Sequence, residues 1–199
     1  LDYGLRGLEV DYPGLRAELA QDPVTALEKT ERKDVPLLYW TAAAWAGAMA
    51  LKINDSEVSA DQPIVDALAR RALALDPDWG MGSIHEFFVS WESGRSSIGG
   101  SKERALEHYE EALRLSQGLK ASPHLTYAES ICVPEQDRAA FTASLDANRL
   151  ADDRHVVTLR GDDQQRPVHQ RTGQPVQEVD DEDVGPLQVV EHEQDRGVQ

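Results

Sequence analysis

Two stretches of this chain are variants of one helical pattern: VDALARRALALDP, residues 65–77, and ALEHYEEALRLSQ, residues 105–117. When Ala72 is aligned with Ala112, small or apolar residues also coincide at the other positions of one helical face. The remaining matched pairs are Val65 with Ala105, Ala69 with Tyr109, Leu73 with Leu113, and Leu75 with Leu115. Because each copy is followed by a Pro or Gly that ends a helix, the pattern predicts two equivalent helices.

The repeated pattern resembles the second helix of a tetratricopeptide repeat. The two copies are 40 positions apart, against about 34 for the standard repeat. The glycine-rich segment SGRSSIGGS, residues 93–101, accommodates the extra length as a longer loop. We therefore expect an all-α fold over residues 1–146, built of tetratricopeptide-like antiparallel helical hairpins stacked in a right-handed array.

Capping residues and prolines predict where the other helices begin. We expect only one short helix, over residues 15–20, before Asp22. Asp22, Asp34, Asp61 and Ser101 are each predicted to cap a helix. The helix after Asp34 is apolar nearly all round, so we expect it to pack on several sides. The predicted ranges are 23 onward, 36–52, 62–75, 79–91, 102–117, 123–132, and 134 through 145.

Charge and composition exclude several kinds of partner. The net charge is −16, from 36 acidic and 20 basic residues, which excludes a nucleic-acid surface and disfavours docking on an anionic membrane. Cys132 is the single cysteine, so no internal disulfide forms, and we interpret it as a small buried residue. The most apolar run, residues 35–51, is shorter than the about 20 residues of a membrane span. No leader precedes Tyr3, so any export signal would lie upstream.

Motifs for catalysis and for metal or cofactor binding are incomplete. The segment GRSSIGGSK, residues 94–102, has the first spacing of a phosphate-binding loop but lacks its Lys-Ser/Thr ending and a preceding strand. His85 and Glu86 lack the second histidine of a zinc protease, because position 89 is Val. We find no nucleophile with a base partner. We therefore expect neither an enzyme, nor a metal site, nor a cofactor.

Aromatic residues crowd two of the predicted helices, residues 36–52 and 79–91. They could fill the core, or some could line an apolar cavity, since pockets for small molecules favour such walls. His85 could bind a ligand carboxylate or be hydrogen-bonded by a neighbouring helix. The residues that we select as candidate ligand contacts are Tyr39, Trp40, Trp45, Trp79, His85 and Phe88.

Phrases such as YPGLRAELAQDP, DVPLLYW and DPDWGMGSIHEF extend the pattern over residues 12 to about 145. On these phrases the chain resembles the T component of TRAP (tripartite ATP-independent periplasmic) transporters, often called TatT. The resemblance implies a periplasmic, non-catalytic lipoprotein that tends to form a homotrimer and works with the transporter's solute-binding protein. It further implies a small hydrophobic organic acid or lipid-like ligand, and a lipid anchor upstream of this chain. The alternative is a general tetratricopeptide adaptor that binds peptides in its groove.

The composition changes near Asp146. All twelve aromatic residues lie at or before Phe141, and the remainder is rich in Asp, Gln, Val and Arg. Low hydrophobicity and many acids predict a disordered tail over residues 147–199. Because members of the resembled family continue with an Ala-Leu-rich stretch here, we hypothesise that the tail is an out-of-frame translation that removes the capping helix.

Overall fold

The computed structural model describes residues 2–51, 60–95 and 99–149. Within these ranges the regular structure is helical and there is no β-strand. The all-α class is therefore confirmed. The right-handed tetratricopeptide-like array stays a prediction, and so does the tail, which from residue 150 onward lies outside the described residues.

The chain begins with a helix that the sequence analysis missed, α1 (Asp2–Asp11). It contains two glycines, which are poor helix formers. Both sit where α1 meets the following long helix: a Cβ on Gly4 would collide with Thr41 Oγ1, and one on Gly7 would lie 2.9 Å from a Leu37 methyl carbon. Close packing therefore requires the same glycines that weaken the local helical signal.

Two short helices follow, α2 (Leu15–Leu19) and α3 (Pro23–Leu27). The predicted cap of α3 is confirmed, because Asp22 Oδ1 accepts hydrogen bonds from the backbone N–H groups of Val24 and Thr25, each at 3.2 Å.

A 3-10 turn (Arg32–Asp34) leads into the long helix α4 (Val35–Ala50). Asp34 occupies the N-cap position of α4 as predicted, but its side chain makes no capping hydrogen bond there. Asp34 Oδ2 instead accepts hydrogen bonds from the backbone N–H of Glu31 at 2.8 Å and from the Tyr12 hydroxyl at 2.6 Å. The hydrogen bond to Asp34 raises the pKa of Tyr12 to about 12. Asp34 therefore ties α1 to the turn before α4 rather than satisfying the α4 N-terminus.

The two copies of the repeated pattern form α5 (Gln62–Leu75) and α7 (Lys102–Ser116), and α6 (Trp79–Ser93) lies between them in the chain. α4 packs against α5, and α6 packs against α7. The alignment of the copies is confirmed, since Val65, Ala72, Ala105 and Ala112 are all fully buried. Ser101 caps α7 as predicted, accepting from the Arg104 N–H at 3.3 Å. Asp61 occupies the N-cap position of α5 as predicted, but its side chain makes no capping hydrogen bond.

The start of α6 is a left-handed turn that the sequence analysis did not predict. Gly80, Met81 and Gly82 have φ values of 61°, 52° and 86°, and a side chain such as that of Met81 adopts this conformation at a cost. At Gly82 an added Cβ would lie 3.0 Å from the Cα of Ala112. The turn therefore brings the backbones of α6 and α7 into contact.

After α7, Gln117 and Gly118 have positive φ values of 52° and 71°. The helix therefore ends at Ser116, beside the predicted stop at Gly118. α8 (Ser122–Tyr127) continues through a π-helical turn (Ala128–Cys132) into α9 (Val133–Glu135). The helix predicted over 134 through 145 is present as α10, but it begins at 138, because α9 ends at Glu135, and it runs to 149. Asp137 Oδ1 accepts from the Ala140 N–H at 2.9 Å and so caps α10.

Candidate functional site

Three of the six candidate residues form an aromatic cluster at the N-terminal ends of α4 and α6: Tyr39, Trp40 and Trp79. The ring centroid of Tyr39 lies 5.0 Å from Trp40 and 4.8 Å from Trp79, and the two indoles are 6.5 Å apart. Trp40 is 62 % exposed. Because indole is the largest apolar side chain, this cluster presents a broad apolar surface to solvent.

The cluster continues into an exposed face of α4. Pro36, Trp40, Ala44, Gly47 and Leu51 recur every three or four residues and are all exposed. The expectation that α4 packs on several sides is confirmed, because it contacts α1, α5 and α6 and buries Leu38, Ala42 and Trp45 among others. The side that none of these helices covers leaves an apolar stripe in water, which is typical of an interaction surface. We call this stripe the outer face of α4.

Trp45 lies apart from the other candidates, on the buried side of α4. It is 8 % exposed, and its Nε1–H donates to Asp61 Oδ2 at 3.3 Å. The interaction explains why the Asp61 side chain makes no capping hydrogen bond to α5: its carboxylate is turned toward the indole. Within the described residues, Trp45 makes no ring contact with the other five candidates.

His85 and Phe88 meet a residue outside the candidate set, His108 of α7. The Nδ1 atoms of His85 and His108 are 2.9 Å apart, so one donates and the other accepts. The Phe88 ring stacks on His108 with centroids 4.8 Å apart. His85 Nε2 is buried and has no hydrogen-bond partner among the described residues. His85 thus satisfies one ring nitrogen through the neighbouring helix and keeps the other unused.

Both imidazoles of this pair are neutral near pH 7. Burial, and then the proximity of His85, lowers the pKa of His108 from 6.5 to about 4. Burial also lowers the pKa of His85. Desolvation disfavours the charged form of each ring, and two cations at this distance would repel. With neutral rings, the free nitrogen of His85 is a donor or an acceptor according to which tautomer the pair adopts.

A groove of about 470 Å³ lies between α3 and α5, and the sequence analysis missed it. Its apolar wall consists of Pro23, Val24, Leu27, Pro63, Ala67 and Ala74. Its polar residues are Glu28, Asp66, Arg70 and Arg71. One feature of the sequence points to this groove, namely the adjacent arginines in the first copy of the repeat. They differ from the second copy, which has two glutamates at the aligned positions. We call this feature the α3–α5 groove.

A buried carboxylate joins α5, α6 and α7 beside that groove. Glu92 is 1 % exposed and accepts from Arg70 Nη2 at 2.9 Å, Arg104 Nη2 at 2.6 Å and the Ser101 N–H at 3.1 Å. Burial alone would raise the pKa of Glu92, but the hydrogen bonds from Arg104 and Arg70 hold it below its usual value. The arrangement keeps Glu92 charged and links the middle of α5 to the C-terminal end of α6 and the N-terminal end of α7.

Neither a metal centre nor a membrane span is found in the part of the chain that the structure describes. No three metal-binding side chains come together in it, and none of its helices combines the length and apolarity that crossing a bilayer requires.

The family model of the TRAP transporter T-component matches residues 1–158. The chain belongs to the TRAP transporter T-component family. This confirms the resemblance found in the sequence, and the match continues past residue 146, where the tail was predicted to begin. The chain is also 29 % identical over 149 residues to an uncharacterised protein of Treponema pallidum (strain Nichols). That alignment covers 72 % of this chain but 46 % of the relative, so this T-component spans about half the length of the relative that it matches.

Proposed function

We propose that this T-component is a non-catalytic periplasmic accessory of a TRAP-type transporter. In this role it binds or passes a small hydrophobic organic acid or lipid-like ligand alongside the solute-binding protein. The observation that carries the proposal is the family match over residues 1–158. The all-α scaffold with an exposed aromatic cluster suits such a role, because burying apolar ligand area provides affinity without chemistry.

The proposed contacts with the ligand are Tyr39, Trp40, Trp45, Trp79, His85 and Phe88. The aromatic cluster supports the apolar part of the proposal, since Trp40 already lies at the surface. The unused Nε2 of His85 supports the polar part, because a carboxylate oxygen would accept a hydrogen bond from it in the Nε2–H tautomer. In that tautomer, His108 donates its Nδ1–H to His85 Nδ1.

The proposed partners are the solute-binding protein and two further copies of this chain in a homotrimer, with a lipid anchor upstream of residue 1. The outer face of α4 supports a macromolecular partner, because exposed apolar stripes are usually covered by one.

A substitution at Trp40 tests the ligand site, with binding of a fluorescent fatty acid as the measurement. We expect Trp40→Ala to weaken binding about 10-fold or more, since truncating an aromatic anchor costs about 2 kcal/mol. Tyr3→Ala is the control: Tyr3 is 86 % exposed and lies outside the aromatic cluster. Because Trp40 is itself largely exposed, the helical circular dichroism should stay unchanged. Equal binding by both variants would refute the assignment of the aromatic cluster.

The second candidate function is a peptide-binding adaptor, and the outward position of Trp40 favours it. Both functions allow copurification with the solute-binding protein, so the binding of the fatty acid distinguishes them. If the solute-binding protein is retained only while Trp40 is present, and no fatty acid binds, the adaptor function replaces the transport function.

A further inference from the structure

We infer that the α3–α5 groove is a second binding site, which takes a singly charged amphipathic anion: a carboxylate with a short aliphatic chain. The groove does not include any of the six candidate residues. The ligand inferred for this groove belongs to the same chemical class as the ligand in the proposed function, but the groove lies elsewhere in the protein. Either proposal can therefore be refuted without the other.

The shape and the wall of the groove fit the aliphatic part of such a ligand. Pockets for small molecules enclose about 300–1,000 Å³ and are mainly apolar, and this groove has about 470 Å³. Leu27 and Ala67 are buried at its base, whereas Val24 is 66 % exposed. An exposed valine beside a cavity contributes to stability only when something covers it, so a bound chain would remove its apolar surface from water.

The charges along the groove fit a single negative group. Arg70, Arg95 and Arg104 form ion pairs with Asp66 and Glu92. That network holds three guanidinium groups against two carboxylates, which leaves one positive charge in excess.

Arg71 adds a second cation to the wall. Its Nε and Nη2 donate to neutral acceptors, namely Thr30 Oγ1 at 3.1 Å, the Glu28 carbonyl at 2.8 Å and the Thr30 carbonyl at 2.5 Å. Among the described residues, no carboxylate forms an ion pair with Arg71. The groove wall carries two carboxylates, Glu28 and Asp66. Asp66 is already counted with Arg70 and Arg95, so setting Glu28 against Arg71 leaves one positive charge in excess, and it belongs to a network whose Arg95 and Arg104 lie outside the groove lining.

The two adjacent arginines also have donors left for an anion. Arg70 uses Nε for Asp66 and Nη2 for Glu92, and Arg71 uses Nε and Nη2 as described. Within the described ranges, neither Nη1 donates to a protein atom. Guanidinium N–H groups bind carboxylates through charge-assisted hydrogen bonds, so two unused Nη1 groups beside an apolar groove specify an acid with an apolar body.

The test titrates the full chain with octanoate and follows the methyl resonances of Val24 and Leu27 by NMR. We expect these methyls to shift with saturation, and we expect octanol, which lacks the charge, to bind about 10-fold more weakly. Equal affinity for octanol and octanoate, or octanoate shifts that do not saturate at these methyls, would overturn the inference.

A pair of substitutions at one exposed position tests the sign of the charge without disturbing the core. Ala74 lines the groove and is exposed, and both Lys and Glu are good helix formers. We expect Ala74→Lys to strengthen octanoate binding about two- to fivefold and Ala74→Glu to weaken it by a similar factor. Glu107→Gln, on the exposed side of α7, changes the net charge by the same amount as Ala74→Lys and should leave the affinity unchanged. Shifts of one sign for both Ala74 variants, or no shift, would contradict the assignment. Trp40→Ala should not alter this titration, which separates it from the test of the aromatic cluster.

Discussion

Replacing Glu92 with Gln should destabilise the protein more than any surface charge substitution. Glu92 is 1 % exposed, and its two oxygens accept from Arg70, Arg104 and the Ser101 backbone. Gln keeps one carbonyl oxygen but replaces the other with an N–H₂ group that faces the donors. If the N–H₂ group takes the Oε1 position, the hydrogen bond from Arg70 is lost, and the two from Arg104 then reach a neutral acceptor. A charge-assisted hydrogen bond is worth about 1.5–3 kcal/mol.

The net cost should be smaller than for a fully buried pair. Breaking such a pair costs about 3–5 kcal/mol because the remaining charge stays buried. Here the side chains of Arg70 and Arg104 are 48 % and 45 % exposed, so both can turn toward water. We therefore expect a loss of about 2–3 kcal/mol in the free energy of unfolding, measured by urea denaturation with far-UV circular dichroism.

The control is Glu111→Gln, which removes an ion pair with Arg114 on the surface of α7. Exposed pairs contribute about 0–1 kcal/mol, so this variant should stay close to the unsubstituted protein. The pH dependence provides a second readout. The pKa of Glu92 lies below its ordinary value of 4.5 in the folded protein, so its contribution is present above pH 4.5 and is lost as the pH falls below it. The gap between Glu92→Gln and the unsubstituted protein should close in acid. A loss no larger than that of Glu111→Gln would refute the argument.

Two further predictions concern α6 and α7. Because burial lowers the pKa of His108 from 6.5 to about 4, the unfolded chain binds more protons than the folded one in this interval, and stability should fall from pH 6.5 to 4. The full shift would correspond to about 3 kcal/mol, but His108 is half-buried, so screening by solvent should reduce the loss to about 1–2 kcal/mol. His108→Gln should flatten that part of a pH series of urea melts, and an unchanged slope would show that His108 does not carry the effect. Gly82→Ala should destabilise by about 2 kcal/mol or more, because φ is 86° and the new methyl would lie 3.0 Å from Ala112 Cα. Gly47→Ala, in open space on α4, should instead stabilise by up to about 1 kcal/mol, and thermal melts of both variants should shift in opposite directions.

The candidate ligand residues could be selected from the sequence because their residue types are known there. Their neighbours in the folded protein could not be predicted in the same way. The structure brings Tyr39, Trp40 and Trp79 together, places His85 and Phe88 against His108, and leaves Trp45 with Asp61. Side chains on different helices meet according to how the helices pack, and the spacing along one helix does not contain that information.

The sequence by itself determined the all-α class, the register of the two repeated helices and the caps at Asp22 and Ser101, because periodicity and capping are local properties of the chain. Only the tertiary structure decided the helix of α1, the left-handed turn at Gly80–Gly82 and the exposed face of α4. In each case contacts between distant segments override a local preference or leave it unused. Two glycines lie in a helix because Thr41 and Leu37 pack against them. The apolar helix α4 keeps one side in water because α1, α5 and α6 pack on its other sides.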